Sequence, residues 1–156
     1  MTVIQALATI GGAIALIGGL VGSAVGIAMA ASAGLATLSE DSSQLRNVIV
    51  LASMPMTQSF YGLIILIIIL TVVFPKVAAA GIGVGIGVLT IGIMAGFAEI
   101  FSAMYQGSVC ASGIALLPKT KGRILTASMM LAVFVELIGV LGLVFTIMAL
   151  SILKLM

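Results

Sequence analysis

The chain has 156 residues, of which 63% are hydrophobic and 6% charged, with no Trp, no His and a formal charge of +2. With a mean hydropathy of +1.46, this composition excludes a soluble globular domain and indicates an integral membrane protein. The pI near 9.0 reflects basic residues in loops and not a nucleic-acid-binding face.

The charged residues divide the chain into four long apolar stretches, 1–39, 47–75, 77–118 and 124–153. Each exceeds the roughly 20 residues needed to cross the hydrocarbon. The predicted fold is therefore all-α: four transmembrane helices in a single membrane domain spanning 1–156, with one hairpin over 1–75 and a second over 76–156.

Predicted helix 1 is rich in glycine (Gly11, Gly12, Gly18, Gly19, Gly22, Gly26), and the i, i+4 spacing of Gly18, Gly22 and Gly26 lets another helix approach closely in lipid. It lacks a basic n-region and is too long for an h-region, so it is expected to be retained and not cleaved as a signal peptide. A polar loop follows at 39–46.

Helix 2 carries Met54-Pro55-Met56-Thr57-Gln58-Ser59-Phe60-Tyr61 near its centre. Met54, Gln58 and Tyr61 share one face, with Thr57 at its edge. Pro55 has no N–H, so the Leu51 carbonyl is expected to lose its helical partner, and freed carbonyls near such a break can act as ligands. Phe74-Pro75-Lys76 reads as a minimal turn into helix 3.

Helix 3 opens with Gly81-Ile82-Gly83-Val84-Gly85-Ile86-Gly87. Without a Lys-Ser/Thr ending or a strand before it, this run signifies helix packing and not a phosphate loop. Further along come Gly92, Gly96, Glu99, Gln106 and Cys110, the single cysteine, which is expected to be a small packing residue. Glu99 lies two turns from Gln106 on nearly the same side. It is open to three readings: a second ion ligand, a group lining an internal lumen, or a protonated packing acid. A basic loop follows at 118–123 with Lys119, Lys121 and Arg123.

Helix 4 contains Glu136, the only ionisable side chain between Ile124 and Leu153. A carboxylate at mid-span is costly and marks an ion or proton path. Thr57, Gln58 and Gln106 offer uncharged oxygens to complete a pocket around it, and Tyr61 is placed to hydrogen-bond it or to pack elsewhere. An all-oxygen cage with one carboxylate suits Na⁺ and is neutral when filled, whereas H⁺ would need only the carboxyl group. The two glutamines could also serve as interhelical glue. The loops at 39–46 and 118–123 hold four Lys and Arg against two at Lys76 and Lys154, which places those loops in the cytoplasm and both termini outside.

The second half repeats the first. Ser23-Ala24 and Gly34 match Ser102-Ala103 and Gly113 at an offset of 79, and Tyr61-Gly62-Leu63 falls on Leu141-Gly142-Leu143 at 80. Glu136 then lies opposite Met56, so the carboxylate belongs to the second hairpin alone, giving one ion site per chain.

Over essentially its whole length the chain resembles the c or K proteolipids of V-type and A-type rotary ATPases, and Pro55-Met56-Thr57-Gln58, Tyr61-Gly62, Gln106-Gly107 and Val135-Glu136 resemble the pattern of the sodium-pumping members. The resemblance implies a homo-oligomeric ring that carries Na⁺, or alternatively H⁺, coupled to ATP chemistry in partner subunits. It also implies a stator subunit whose arginine meets Glu136, and central stalk subunits against the polar loops. The implied ligands are Glu136, Thr57, Gln58, Gln106 and the Met54 carbonyl, supported by Pro55 and Tyr61. No cofactor and no nucleotide site are expected in this chain. Two departures from that pattern are Leu137-Ile138 after the carboxylate, and Glu99. A rival reading is a small tetraspan channel or transporter.

Overall fold

The computed structural model describes all 156 residues, Met1–Met156. Four helices long and apolar enough to cross a membrane make up the molecule: α1 Val3–Glu40, α2 Ser42–Val77, α3 Ile82–Ala115 and α4 Leu125–Ile152. The all-helical expectation holds, and the chain has no strand. With this composition the protein is a multi-pass membrane protein.

Helix α1 starts in a capping box: the Gln5 backbone N–H donates to Thr2 Oγ1 at 3.2 Å, and the Thr2 backbone N–H donates to Gln5 Oε1 at 2.9 Å. It stops at Asp41, a single extended residue (φ −144°, ψ 93°). The carboxylate of Asp41 accepts from the Ser43 hydroxyl (2.6 Å), the Ser43 N–H (3.0 Å) and the Gln44 side chain (3.0 Å). These donors, the Ser43 hydroxyl foremost, hold the acid below its ordinary value of 3.8. The expected loop at 39–46 is thus a one-residue break between two helices.

Helix α2 adapts twice to its prolines. Around Pro55 it tightens into a 3₁₀ turn, Met54–Met56, and the Met54 N–H donates to the Leu51 carbonyl. The expected free carbonyl at Leu51 is therefore satisfied by a shorter ring. Before Pro75 the helix widens into a π turn, Ile69–Val73, and then continues through Phe74–Val77. The wide turn changes the register in which Pro75 meets the preceding carbonyls, so the proline is absorbed into the helix. The turn expected at Phe74-Pro75-Lys76 lies at 78–81 instead. Between α3 and α4, a single helical turn, Leu117–Thr120, leads into a reversal where Lys121 (φ 50°) and Gly122 (φ 80°) take left-handed conformations.

Helices α1 and α3 run parallel in close contact. A Cβ at Gly18 would collide with the backbone of Gly96, and one at Gly92 with the backbone of Gly11. Only bare backbone allows the two helices to come this close. Helix α2 packs antiparallel on α1, and α4 antiparallel on α3, where Ser128 lies against Gly113. Of the early glycine run, Gly85 meets Ile4 on α1, while Gly81 and Gly83 meet nothing within 4 Å.

Two apolar clusters occupy the ends of the bundle. One joins Ala8, Ala15, Ile65, Ile69, Val88, Ala95 and Leu150; the other joins Ala30, Val48, Leu51, Cys110, Ile114 and Ala132. Between them on every helix lies a buried or half-buried polar residue: Ser23 on α1, Gln58 on α2, Glu99, Ser102 and Gln106 on α3, and Glu136 on α4. The fold thus places one polar layer between two dry ones, at mid-span.

Candidate functional site

Glu136 is half-buried on α4 and receives a donor from each of two other helices. The Tyr61 hydroxyl donates to Oε1 at 3.0 Å, and the Gln106 amide donates through Nε2 to Oε2 at 3.1 Å. Both carboxylate oxygens are therefore held, each by a different helix. Charge-assisted bonds of this kind fix a rotamer as well as stabilise a charge.

Gln106 is in turn oriented by Gln58. Both are fully buried, and Gln58 Nε2 donates to Gln106 Oε1 at 3.0 Å and to the Ser102 hydroxyl at 2.9 Å. Ser102 directs its own proton to the Val135 carbonyl at 3.0 Å, one residue before the carboxylate. The Thr57 hydroxyl lies 3.2 Å from Gln58 Oε1 and 3.3 Å from the Met54 carbonyl, so its single proton serves one or the other. Because Pro55 tightens the turn, Met54, Thr57, Gln58 and Tyr61 share the face of α2 that meets α3 and α4. Pro55 itself is buried and points the other way, against Gly26 of α1.

The structure brings Glu136, Tyr61, Gln106, Gln58, Thr57 and the Met54 carbonyl into one continuous hydrogen-bonded network. Ser102 belongs to it as well, a site residue that the sequence reading does not single out. A signal for it exists: it precedes Gln106 by one helical turn on the same face. The Cys110 thiol is buried, with its Sγ 3.9 Å from Met54 Sδ, a packing contact beneath the network.

Such a network can hold a carboxylate in one position for a cation. Its acceptors are the Glu136 carboxylate, the side-chain oxygens of Thr57, Gln58 and Gln106, and one backbone carbonyl. All are hard oxygen groups, and no cluster of His, Cys and acid residues suited to a transition metal exists in the chain. Leu137 and Ile138, beside the carboxylate, are about half exposed on the outer face of α4 (49% and 51%). The site thus lies just inside the surface that meets lipid or another protein.

Residues 10–69 and 89–149 each match the family model for the C subunit of ATP synthase. The starts of the two matches are 79 residues apart and their ends 80, the same offsets at which the sequence repeats. The chain is also 35% identical over 143 residues to the A-type ATP synthase subunit K of Methanocaldococcus jannaschii, a match covering 89% of this chain and 61% of that protein.

Proposed function

The chain belongs to the family of ATP synthase C subunits, and from that premise we propose that it is an ion-carrying rotor subunit of a rotary ATPase of the A or V type, assembled as a homo-oligomeric ring. The observation that carries this reading is Glu136, a mid-span carboxylate held by Tyr61 from α2 and Gln106 from α3. Cation binding neutralises Glu136, so the loaded face of α4 can pass through lipid. Displacement of the cation by a stator cation, an arginine in the proposed complex, returns the carboxylate to its charged state. ATP chemistry belongs to partner subunits, and the polar loops face the central stalk.

For the cargo we favour Na⁺. Dehydrating Na⁺ requires several oxygens at once, and Glu136, Thr57, Gln58, Gln106 and the Met54 carbonyl offer them on three helices. For Na⁺ to enter, the Gln106 amide turns its oxygen toward the carboxylate and the Gln58 amide turns with it, since two NH2 groups cannot pair.

The deciding experiment is carbodiimide labelling of Glu136 at neutral pH, with and without Na⁺, on the purified oligomer. The reagent modifies the protonated acid, so a bound sodium ion protects it. Labelling that ignores Na⁺ hands the cargo to protons. A monomer that conducts ions in bilayers would overturn the rotor reading altogether.

A further inference from the structure

Glu99 lies one turn beyond Ser102 on α3, on the side facing α4. It is 0% exposed, and neither carboxylate oxygen has a hydrogen-bond partner. No other side chain in the polar layer is both ionisable and unpartnered. Its carboxylate fits against bare backbone: a Cβ at Gly139 would lie 2.8 Å from Glu99 Oε2 and 3.1 Å from the Ser102 hydroxyl, and a Cβ at Gly142 would lie 3.5 Å from Glu99 Oε1. The absence of a side chain at Gly139 is what gives this acid its room on α4, whereas a Cβ at Gly142 would crowd Ala98 and only touch the acid.

An ionised carboxylate sealed among apolar groups with no donor is strongly disfavoured. Something must neutralise it, and the chain offers no fixed cation. All six Lys and Arg residues, at 46, 76, 119, 121, 123 and 154, lie at or beyond the ends of the spans. The titratable groups in the layer packed around it are Tyr61 of α2 and Glu136 of α4, while α1 contributes only Glu40 at its far end. Nor can a neighbouring copy supply the charge, because this chain alone already closes off the side chain completely. The neutralising charge must be a mobile one.

We propose that Glu99 is a second proton site in the same protein chain, one turn from the Glu136 network, neutralised by H⁺ and exchanging it. Each chain then carries two carboxylates that load and unload, one half-buried at the outer face and one enclosed between α3 and α4. The shared element is Ser102, whose hydroxyl borders both: it accepts from Gln58 on one side and shares the Gly139 gap with Glu99 on the other. The proposal does not require Glu136 to carry sodium.

The test uses the intact oligomer with Glu136→Gln, which removes the first carboxyl from the measurement and leaves the reading of Glu136 untouched by the outcome. Infrared difference spectra between acid and alkaline pH are recorded for the protonated-carboxyl band. The expected result is a band component that appears and disappears with pH and is lost in Glu136→Gln/Glu99→Gln. A carboxyl band that is unchanged by pH overturns the proposal and leaves Glu99 a packing acid. The absence of any component that depends on Glu99 overturns it as well. Should the double variant fail to assemble, Glu99→Gln in the otherwise native ring gives the same reading as the loss of one exchangeable carboxyl from the wild-type spectrum.

Discussion

The Tyr61 hydroxyl donates to Glu136 Oε1 at 3.0 Å, joining residues 75 positions apart in sequence across the interface between α2 and α4. Tyr61→Phe removes this donor and leaves the ring in place. Interhelical hydrogen bonds in membranes contribute about 0.6 to 1.7 kcal/mol, so ion affinity should fall about threefold to twentyfold. Sodium protection of Glu136 against carbodiimide, titrated on the variant, checks this. Unchanged protection would mean that Tyr61 does not position the carboxylate.

Ser102 anchors Gln58 and holds it against Gln106. Ser102→Ala removes one of two acceptors for the Gln58 amide and frees the Val135 carbonyl, whereas Gln106→Ala removes a direct bond to Glu136. The serine variant should weaken ion binding by less than Gln106→Ala does, and both should leave the detergent-stable oligomer intact. Binding titrations on the two variants rank them, and an equal or larger loss at Ser102 would place that hydroxyl among the ligands.

The contact between α1 and α3 should be the least tolerant in the molecule. Gly18→Val or Gly92→Val drives a branched side chain into the opposite backbone, which cannot yield as a flexible side chain would. Overpacking of this kind costs roughly 1–3 kcal/mol or more. Thermal unfolding in detergent should therefore drop clearly for both, while Gly83→Val, at a position that meets nothing within 4 Å, should leave the monomer fold unaffected.

Asp41 makes the turn between α1 and α2 sensitive to acid. Its carboxyl is held below 3.8 by the Ser43 and Gln44 donors. A depressed folded-state acid stabilises the turn above its ordinary value, and that contribution is lost as pH falls through 3.8 and below. Amide protection at Ser43 should therefore decline in this range relative to Asp41→Asn, whose neutral side chain does not titrate there. A parallel decline in both proteins would remove Asp41 as the cause.

The polar layer is largely legible in the sequence because a glutamate, two glutamines and a tyrosine are conspicuous in helices otherwise built from Ile, Leu, Val, Gly and Ala. Ser102 is not, since a serine in a helix of small residues reads as packing, and its partner Gln58 is 44 residues away. Glu99 is conspicuous as an acid, but its isolation becomes visible only when α4 brings Gly139 against it. The end of α2 departs from expectation for a local reason. Pro75 reads as a terminator, and nothing in Ile69–Val73 announces the π turn that precedes its place in the helix. In the same way the 3₁₀ turn at Met54–Met56 satisfies the Leu51 carbonyl that Pro55 alone would have orphaned.

The four spans place the α1–α2 break and the basic 118–123 segment at one end of the bundle, and the 78–81 turn at the other. Lys and Arg flanking spans are retained on the cytoplasmic side, and Arg46, Lys119, Lys121 and Arg123 outnumber Lys76 and Lys154. Ser42, Lys119 and Ala79 are all exposed, so cysteines there are open to reagent. In a background where buried Cys110 is replaced by Ser, Ser42→Cys and Lys119→Cys should resist an impermeant maleimide in intact cells and react in inverted vesicles, while Ala79→Cys should do the reverse. Labelling of Ser42→Cys from outside would invert the topology and move the proposed stalk contact to the 78–81 end. Disagreement between Ser42→Cys and Lys119→Cys would break the four-span arrangement itself.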